Sequence, residues 1–198
     1  MKPPVKRLRF PFKKKPPCDY TLMQRNSTEK RLINLVELGP AEKAVELRGF
    51  LKKPGRELHG IDRALTREEV IQKNKSVLWL RKGSFFKVLK AYKPESVKQF
   101  RMKIVLSYQG KAGRVAKNYA GVFKQVFEKL VPSGRFLVSE RKEYIEAIKP
   151  VLEGLGFRIT VFRPAGENET TSFWQKVYAK GPKPWKLVAV KPRKKQGN

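Results

Sequence analysis

Residues 35–62 read LVELGPAEKAVELRGFLKKPGRELHGID. An apolar run ends in Glu37, with Gly39 just past it. A helical stretch, AEKAVELRGFLKK, follows and is stopped by Pro54–Gly55, and a second strand-like run, RELHGI, closes on Asp62. Strand, turn, helix and strand over about thirty residues make a βαβ unit, whose two strands lie parallel. Gly39 permits a tight turn with close backbone approach, and Asp62 places a carboxylate at the next strand end. The turn is only partly glycine-rich, because Ala41 and Lys43 stand at its later positions.

The same alternation extends in both directions. RLINLVEL (31–38) is the first strand, and TREEVIQKNK (66–75) reads as a short helix with Thr66 and Glu69 as a capping box. SVLWL (76–80) follows as a strand. SFFKVLKAYKPESVKQF is an imperfect helical or looped stretch, and MKIVLSY (102–108) is the fourth strand. GRVAKNYAGVFKQVFEKLV sets Val115, Tyr119, Val122, Phe123, Val126, Phe127 and Leu130 on one helical face, with Lys117, Lys124 and Lys129 away from it. Pro132–Ser133–Gly134 turns into RFLVS, and RKEYIEAIKPVLEGLG is a helix carrying Pro150. FRITVFR and PWKLVAVK are strands with no helix between them, which predicts an antiparallel edge. The whole predicts an α/β fold with a mostly parallel sheet and helices on both faces. Ligands of such sheets lie outside the carboxyl ends of the strands, which is where Glu37, Gly39 and Asp62 fall.

Charge decides the class of partner. The chain of 198 residues carries 46 Lys and Arg against 17 Asp and Glu, a formal net charge of +29. Self-repulsion of that size opposes compaction unless a polyanion neutralises it, and phosphate neutralisation releases counterions. Nucleic acid is therefore the expected partner, RNA ahead of DNA, since no helix-turn-helix or zinc-finger spacing is present. No apolar run is long enough to span a bilayer, so no membrane partner is expected.

Three divisions are expected: a basic, proline-rich extended arm (1–30), an α/β domain (31–192) and a basic tail (193–198). Up to Lys30 nine basic residues stand against two acids, with five prolines among the first twenty residues. Lys6, Arg7, Arg9, Lys13, Lys14 and Lys15 in the arm are candidate RNA contacts. So are Lys183, Lys186, Lys191, Arg193, Lys194 and Lys195 near the other end. Phe10, Phe12 and Tyr20 suit base stacking, whereas Trp185, on a strand, suits packing. The single cysteine, Cys18, excludes an internal disulfide and a cysteine-built zinc site, no metal is expected, and a reducing, cytoplasmic setting fits. The single histidine, His59, lies within an apolar strand and reads as a packed residue, so nucleophile–histidine chemistry has little material here.

The ordered elements resemble the Rossmann-like class I S-adenosylmethionine-dependent methyltransferases over about residues 31–192. VELGPAEK is similar to the acid and glycine-rich turn after that family's first strand, and Asp62 falls 23 residues after Gly39. SGRFLVSERKEYIEAIKPVLEGLGFRITVF is similar to the family's fifth strand, last helix and sixth strand. The resemblance implies Glu37, Gly39, Ala41, Asp62 and Ser84 as cofactor-binding positions, with Asp62 on the ribose hydroxyls. It implies Ser107 and Tyr108 as catalytic or base-stacking candidates. The departures run one way: Ala41 and Lys43 replace glycines, Gly83–Ser84 replaces a Gly–Asp pair, and the fourth strand begins Arg101–Met102–Lys103 where an acid is usual. No Asn–Pro–Pro–Tyr motif or nucleophilic cysteine is present. Two readings follow. One is a noncatalytic RNA-binding protein of a ribosome or other ribonucleoprotein; the other is an active RNA methyltransferase using S-adenosylmethionine.

Overall fold

Residues 32–40, 44–65, 67–103, 105–166 and 183–193 are described in a computed structural model of the protein. Chain contacts divide the molecule into Met1–Lys30 and Arg31–Asn198, and all described residues belong to the second. Ala41, Thr66, the arm residues Lys6 to Lys15, Phe10, Phe12, Tyr20, Lys194 and Lys195 lie outside the described residues.

The chain starts a parallel sheet at β1 (Leu35–Leu38), whose residues are all buried. A six-residue helix α1 (Val45–Phe50) follows, and β2 (Glu57–Asp62) returns parallel to β1. β4 (Ser76–Lys82) adds parallel outside β2, and β5 (Val97–Lys103) adds parallel on the other side of β1. Helix α2 (Phe85–Leu89) joins those two strands, and α3 (Ala112–Lys129) leads to β6 (Leu130–Glu140), parallel to β5. Helix α4 (Lys142–Gly154) then leads to β7 (Arg158–Pro164), and β8 (Trp185–Val190) inserts between β6 and β7, antiparallel to both. With β3 (Glu69–Lys73) at the far edge, the sheet runs β3-β4-β2-β1-β5-β6-β8-β7. The predicted α/β class, helices on both faces and antiparallel edge are all present.

Burial explains the layers. On one face Leu47 of α1 and Leu51 at its C-cap pack on Leu35, Leu58, Leu78 and Leu80. On the other, α2, α3 and α4 cover Val36, Phe100, Phe136, Val138 and Leu187. Phe136 lies 5.9 Å from Phe123 of α3 and 6.3 Å from Phe157, which meets Phe127 edge-on at 4.9 Å. These contacts tie the last helix pair to the sheet. Trp185 packs as expected, 5.0 Å from Phe162, with Lys142 Nζ over its ring.

Residues 67–75 are not a helix. Glu69–Lys73 is β3, which pairs antiparallel with β4 through Asn74 and Lys75. Both turn residues have positive φ (51° and 59°), the backbone a two-residue hairpin turn needs to match strand twist. The β-branched pair Val70–Ile71 then splits, Val70 outward and Ile71 onto the α1-side core, and Glu69 pairs with Arg48 at 2.6 Å. The fourth strand of the sequence reading also moves. It is Val97–Lys103, and the apolar Val105–Leu106 beyond it belongs to a loop leading into a 3-10 turn, Ser107–Gln109. Pro132–Ser133–Gly134 lies inside β6, where the register slips between Val97 and Gln99. Lys117 and Lys124 are exposed, whereas Lys129 is buried where α3 runs into β6.

Candidate functional site

The strand order reverses at β1, which has β2 on one side and β5 on the other. The crevice at the carboxyl ends of these strands is the topological switch point. Register places Gly60, Glu37 and Arg101 side by side across β2, β1 and β5. Gly60 lets α1 lie close, because a Cβ there would stand 2.8 Å from Leu47 Cδ1 and 2.9 Å from Leu80 Cδ2.

Glu37 is buried, and its Oε2 accepts a hydrogen bond from Arg101 Nη2 at 2.6 Å. The same Nη2 lies 3.2 Å from Glu46 Oε2 on α1, which also accepts from Lys103 Nζ at 2.6 Å. The Arg101 guanidinium stands 5.2 Å over the Phe50 ring. Burial pushes the Glu37 carboxyl above its ordinary value, and the Arg101 charge and hydrogen bond pull against that shift. Two acids and two cations thus neutralise one another within the crevice wall. Arg101 Nε is buried with no hydrogen-bond partner among the described residues.

Gly39 has φ 78° and donates its N–H to Ile61 O at 2.9 Å. A Cβ on it would collide with Val105 Cγ2, so the side chain of the loop after β5 occupies the space that glycine opens. Asp62 is half-buried at the β2 end, where its Oδ1 accepts from Ala64 N–H at 2.9 Å. Gly83 N–H donates to Asp62 O at 3.0 Å, and Ser84 begins α2 beside it. Tyr119 completes this rim, its phenol held above the ordinary value by burial, with Arg63 pulling it down and Asp62 raising it. Ser107 N–H donates to Glu140 Oε2 at 3.2 Å, and Tyr108 shares that 3-10 turn.

Sequence reasoning missed Arg101, Glu46, Val105 and Glu140. Glu140 is fully buried at the end of β6 and accepts from the N–H groups of Leu106, Ser107 and Arg141. The available signal was alternation in VKQFRMK, which puts Arg101 and Lys103 on one face and Phe100 and Met102 on the other.

The expected RNA residues are placed unevenly. Lys183 and Arg193 are exposed and Lys186 is half-buried. Arg193 Nε donates to Ser133 Oγ at 3.1 Å. Lys191 turns inward, where its Nζ donates to Leu130 O at 2.8 Å and lies 3.4 Å from Glu95 Oε1. Among the described residues no group of His, Cys, Asp and Glu gathers as a metal site requires, and no helix is long and apolar enough to cross a membrane.

His59 stands apart from this crevice, on the opposite face of β2. Burial holds its pKa below the ordinary value, so the ring is neutral. A carboxylate only accepts, so Nε2–H donates to Glu57 Oε1 at 3.1 Å and Nδ1 accepts from the Tyr92 hydroxyl at 2.7 Å. The sign of the pH effect follows. The unfolded chain, titrating near 6.5, takes up the proton first. The stability from this residue is therefore complete above about 6.5 and is lost as pH falls through the folded value. Thermal melts from about pH 8 to about pH 5 are expected to fall more steeply for the wild type than for His59→Gln; parallel curves contradict this.

Solved structures share the fold. The antibiotic-resistance methyltransferase Kmr aligns over 82% of this chain and 88% of its own, at 12% identity and TM-score 0.59. The class I methyltransferase fold is the fold of this chain. A 16S rRNA (adenine(1408)-N(1))-methyltransferase from Catenulisporales acidiphilia aligns over 88% of this chain and 93% of its own, at 15% identity and TM-score 0.58. A SAM-dependent methyltransferase from Archaeoglobus fulgidus aligns over 82% and 87%, at 16% identity and TM-score 0.52. No family model matches the chain, and no curated protein matches it.

S-adenosylmethionine is the cofactor this methyltransferase fold implies. The residues present do not fit it at Glu37 or Gly39: the carboxylate is already neutralised by Arg101, and Val105 fills the glycine's space. Asp62, expected on the ribose hydroxyls, is half-buried at the end of β2.

Proposed function

We propose that this chain is a noncatalytic RNA-binding protein that uses the methyltransferase fold as a scaffold, within a ribosome or another ribonucleoprotein of the cytoplasm. The observation that carries the reading is the buried Glu37–Arg101 pair, which closes the acid of the first strand against its own sheet. The net charge of +29 supports a polyanionic partner. The basic arm and tail, with Lys6, Arg7, Arg9, Lys13, Lys14, Lys15, Lys194 and Lys195, suit phosphate contact. Fold neighbours that are named 16S rRNA methyltransferases favour RNA over DNA.

A second reading, an active RNA methyltransferase, draws support from Asp62, half-exposed at the carboxyl edge beside Ser84 and Tyr119. Calorimetric titration separates the two. Folded protein is expected to give no binding heat with S-adenosylmethionine or S-adenosylhomocysteine up to about 1 mM, a concentration equivalent to about 4 kcal/mol. Micromolar binding of either overturns the scaffold reading and leaves the methyltransferase reading standing.

A further inference from the structure

Side chains alternate along a strand, so register determines which residues of neighbouring strands share a face. Across β5, β6, β8 and β7, the row from Phe100 through Phe136 and Ala189 to Ile159 is turned toward α3 and α4. The next row but one, from Met102 through Val138, is turned the same way. The alternate rows, one between these two and one on either side of them, face away. They carry Arg101, Lys103, Arg135, Arg158, Arg163 and Lys186, and no acid. Helix α1 is on that side, but it packs on β2. Among the described residues no helix lies over the β6–β8–β7 part of that far face.

Arg101 and Lys103 are engaged with Glu37 and Glu46. Arg135 and Arg158 are different. Both are exposed, and both pair in register with Val190, one from each side. Two strand spacings separate them by about 10 Å, close enough for both guanidinium forks to meet phosphates of one nucleic-acid strand. Half-buried Leu137, Val161 and Val190 lie on the same face around them. Exposed Arg193 stands at the same end, hydrogen-bonded to Ser133 two residues before Arg135. This end is the amino side of the parallel strands, away from the crevice of Glu37 and Asp62.

We infer that, given the RNA-binding reading above, the β6–β8–β7 face turned away from α3 and α4 is the RNA-docking surface, with Arg135 and Arg158 as its phosphate contacts. Charge complementarity identifies the occupant: a face of arginines without acids, on a chain of net charge +29, suits a polyphosphate whose oxygens each guanidinium fork can meet in pairs.

The test uses the full chain and a fluorescein-labelled RNA hairpin, read by anisotropy over a KCl series. Arg135→Glu with Arg158→Glu is compared with Lys117→Glu and Lys124→Glu on the exposed side of α3, an equal change of net charge. The face variant is expected to bind at least about tenfold more weakly, with the slope of log affinity against log salt reduced by about 2. The α3 variant is expected to lose less than about threefold. Arg135→Gln with Arg158→Gln, gentler on the strands, is expected to show the same loss of slope, which keeps the surface testable if the reversal unfolds the edge. Equal losses in the face and α3 variants overturn the surface while leaving RNA binding intact. A wild type that does not bind the hairpin overturns the RNA reading, and the surface with it.

Discussion

Arg101→Ala is expected to destabilise the protein by about 3–5 kcal/mol, measured by urea unfolding. The side chains of Arg101 and Glu37 are only 10% and 4% exposed, so removing the guanidinium strands a carboxylate that water does not reach. The comparison within the molecule is Arg48–Glu69, which has the same 2.6 Å separation but side chains 41% and 28% exposed; breaking that pair is expected to cost about 1 kcal/mol or less. Distance is equal in the two pairs, and burial decides. Two further results follow from the same physics. Arg101→Met with Glu37→Gln is expected to recover most of the loss, because the charge and its partner leave together. The deficit of Arg101→Ala is also expected to narrow as pH falls. With Arg101 gone, burial raises the Glu37 pKa further, and such a group contributes stability below its unfolded pKa that is lost as pH rises through the folded one. A loss near 1 kcal/mol, or one independent of pH, contradicts the buried pair.

Glu140→Ala is expected to cost about 3 kcal/mol and to loosen one loop ahead of the rest. Its carboxylate receives Leu106 N–H at 2.9 Å, Ser107 N–H at 3.2 Å and Arg141 N–H at 3.0 Å. The Leu106 amide lies in a fully buried residue, and an unpaired buried donor carries a penalty of about 1–3 kcal/mol. Glu140→Gln is expected to fall between, since its single oxygen still serves Leu106 and Ser107 while its amide nitrogen meets the Arg141 N–H. Hydrogen exchange is the sharper readout. Protection at Leu106 and Ser107 should drop before that of β5 or β6, because the loop's other tether, Tyr144 Oη to Gly110 O at 2.7 Å, remains. Unchanged protection with a loss under about 1 kcal/mol would show that the carboxylate is incidental.

The legible parts of the fold were those governed by local pattern. β1 is a short, mostly apolar run and α3 and α4 carry strong 3.6-residue stripes, and such patterns survive in a single sequence. The stretch 66–75 misled because its charges, TREE followed by VIQK, match a capped helix as well as a hairpin arm. The decision came from Asn74 and Lys75 adopting positive φ and from β4 lying ready to pair. The fourth strand misled for a related reason. Val105–Leu106 is more apolar than Gln99–Arg101, yet burial on this strand comes with a buried charge on the other face.

The crevice shows the same division. Glu37, Gly39 and Asp62 were legible because turn chemistry is local: a strand end, a left-handed glycine and an acid each leave a mark in a few consecutive residues. Their partners were not. Arg101 is 64 residues from Glu37, and Glu140 is 34 residues from Leu106. The alternating α/β order, the acid–glycine turn and the cationic excess are readable in the chain alone, being properties of neighbouring residues or of composition. Neutralisation of the acid from β5, the filling of the space beside Gly39 by Val105, and the sharing of one sheet face by Arg135 and Arg158 arise only once the strands are assembled. Strand order and register bring those groups together, and both are properties of the assembled sheet.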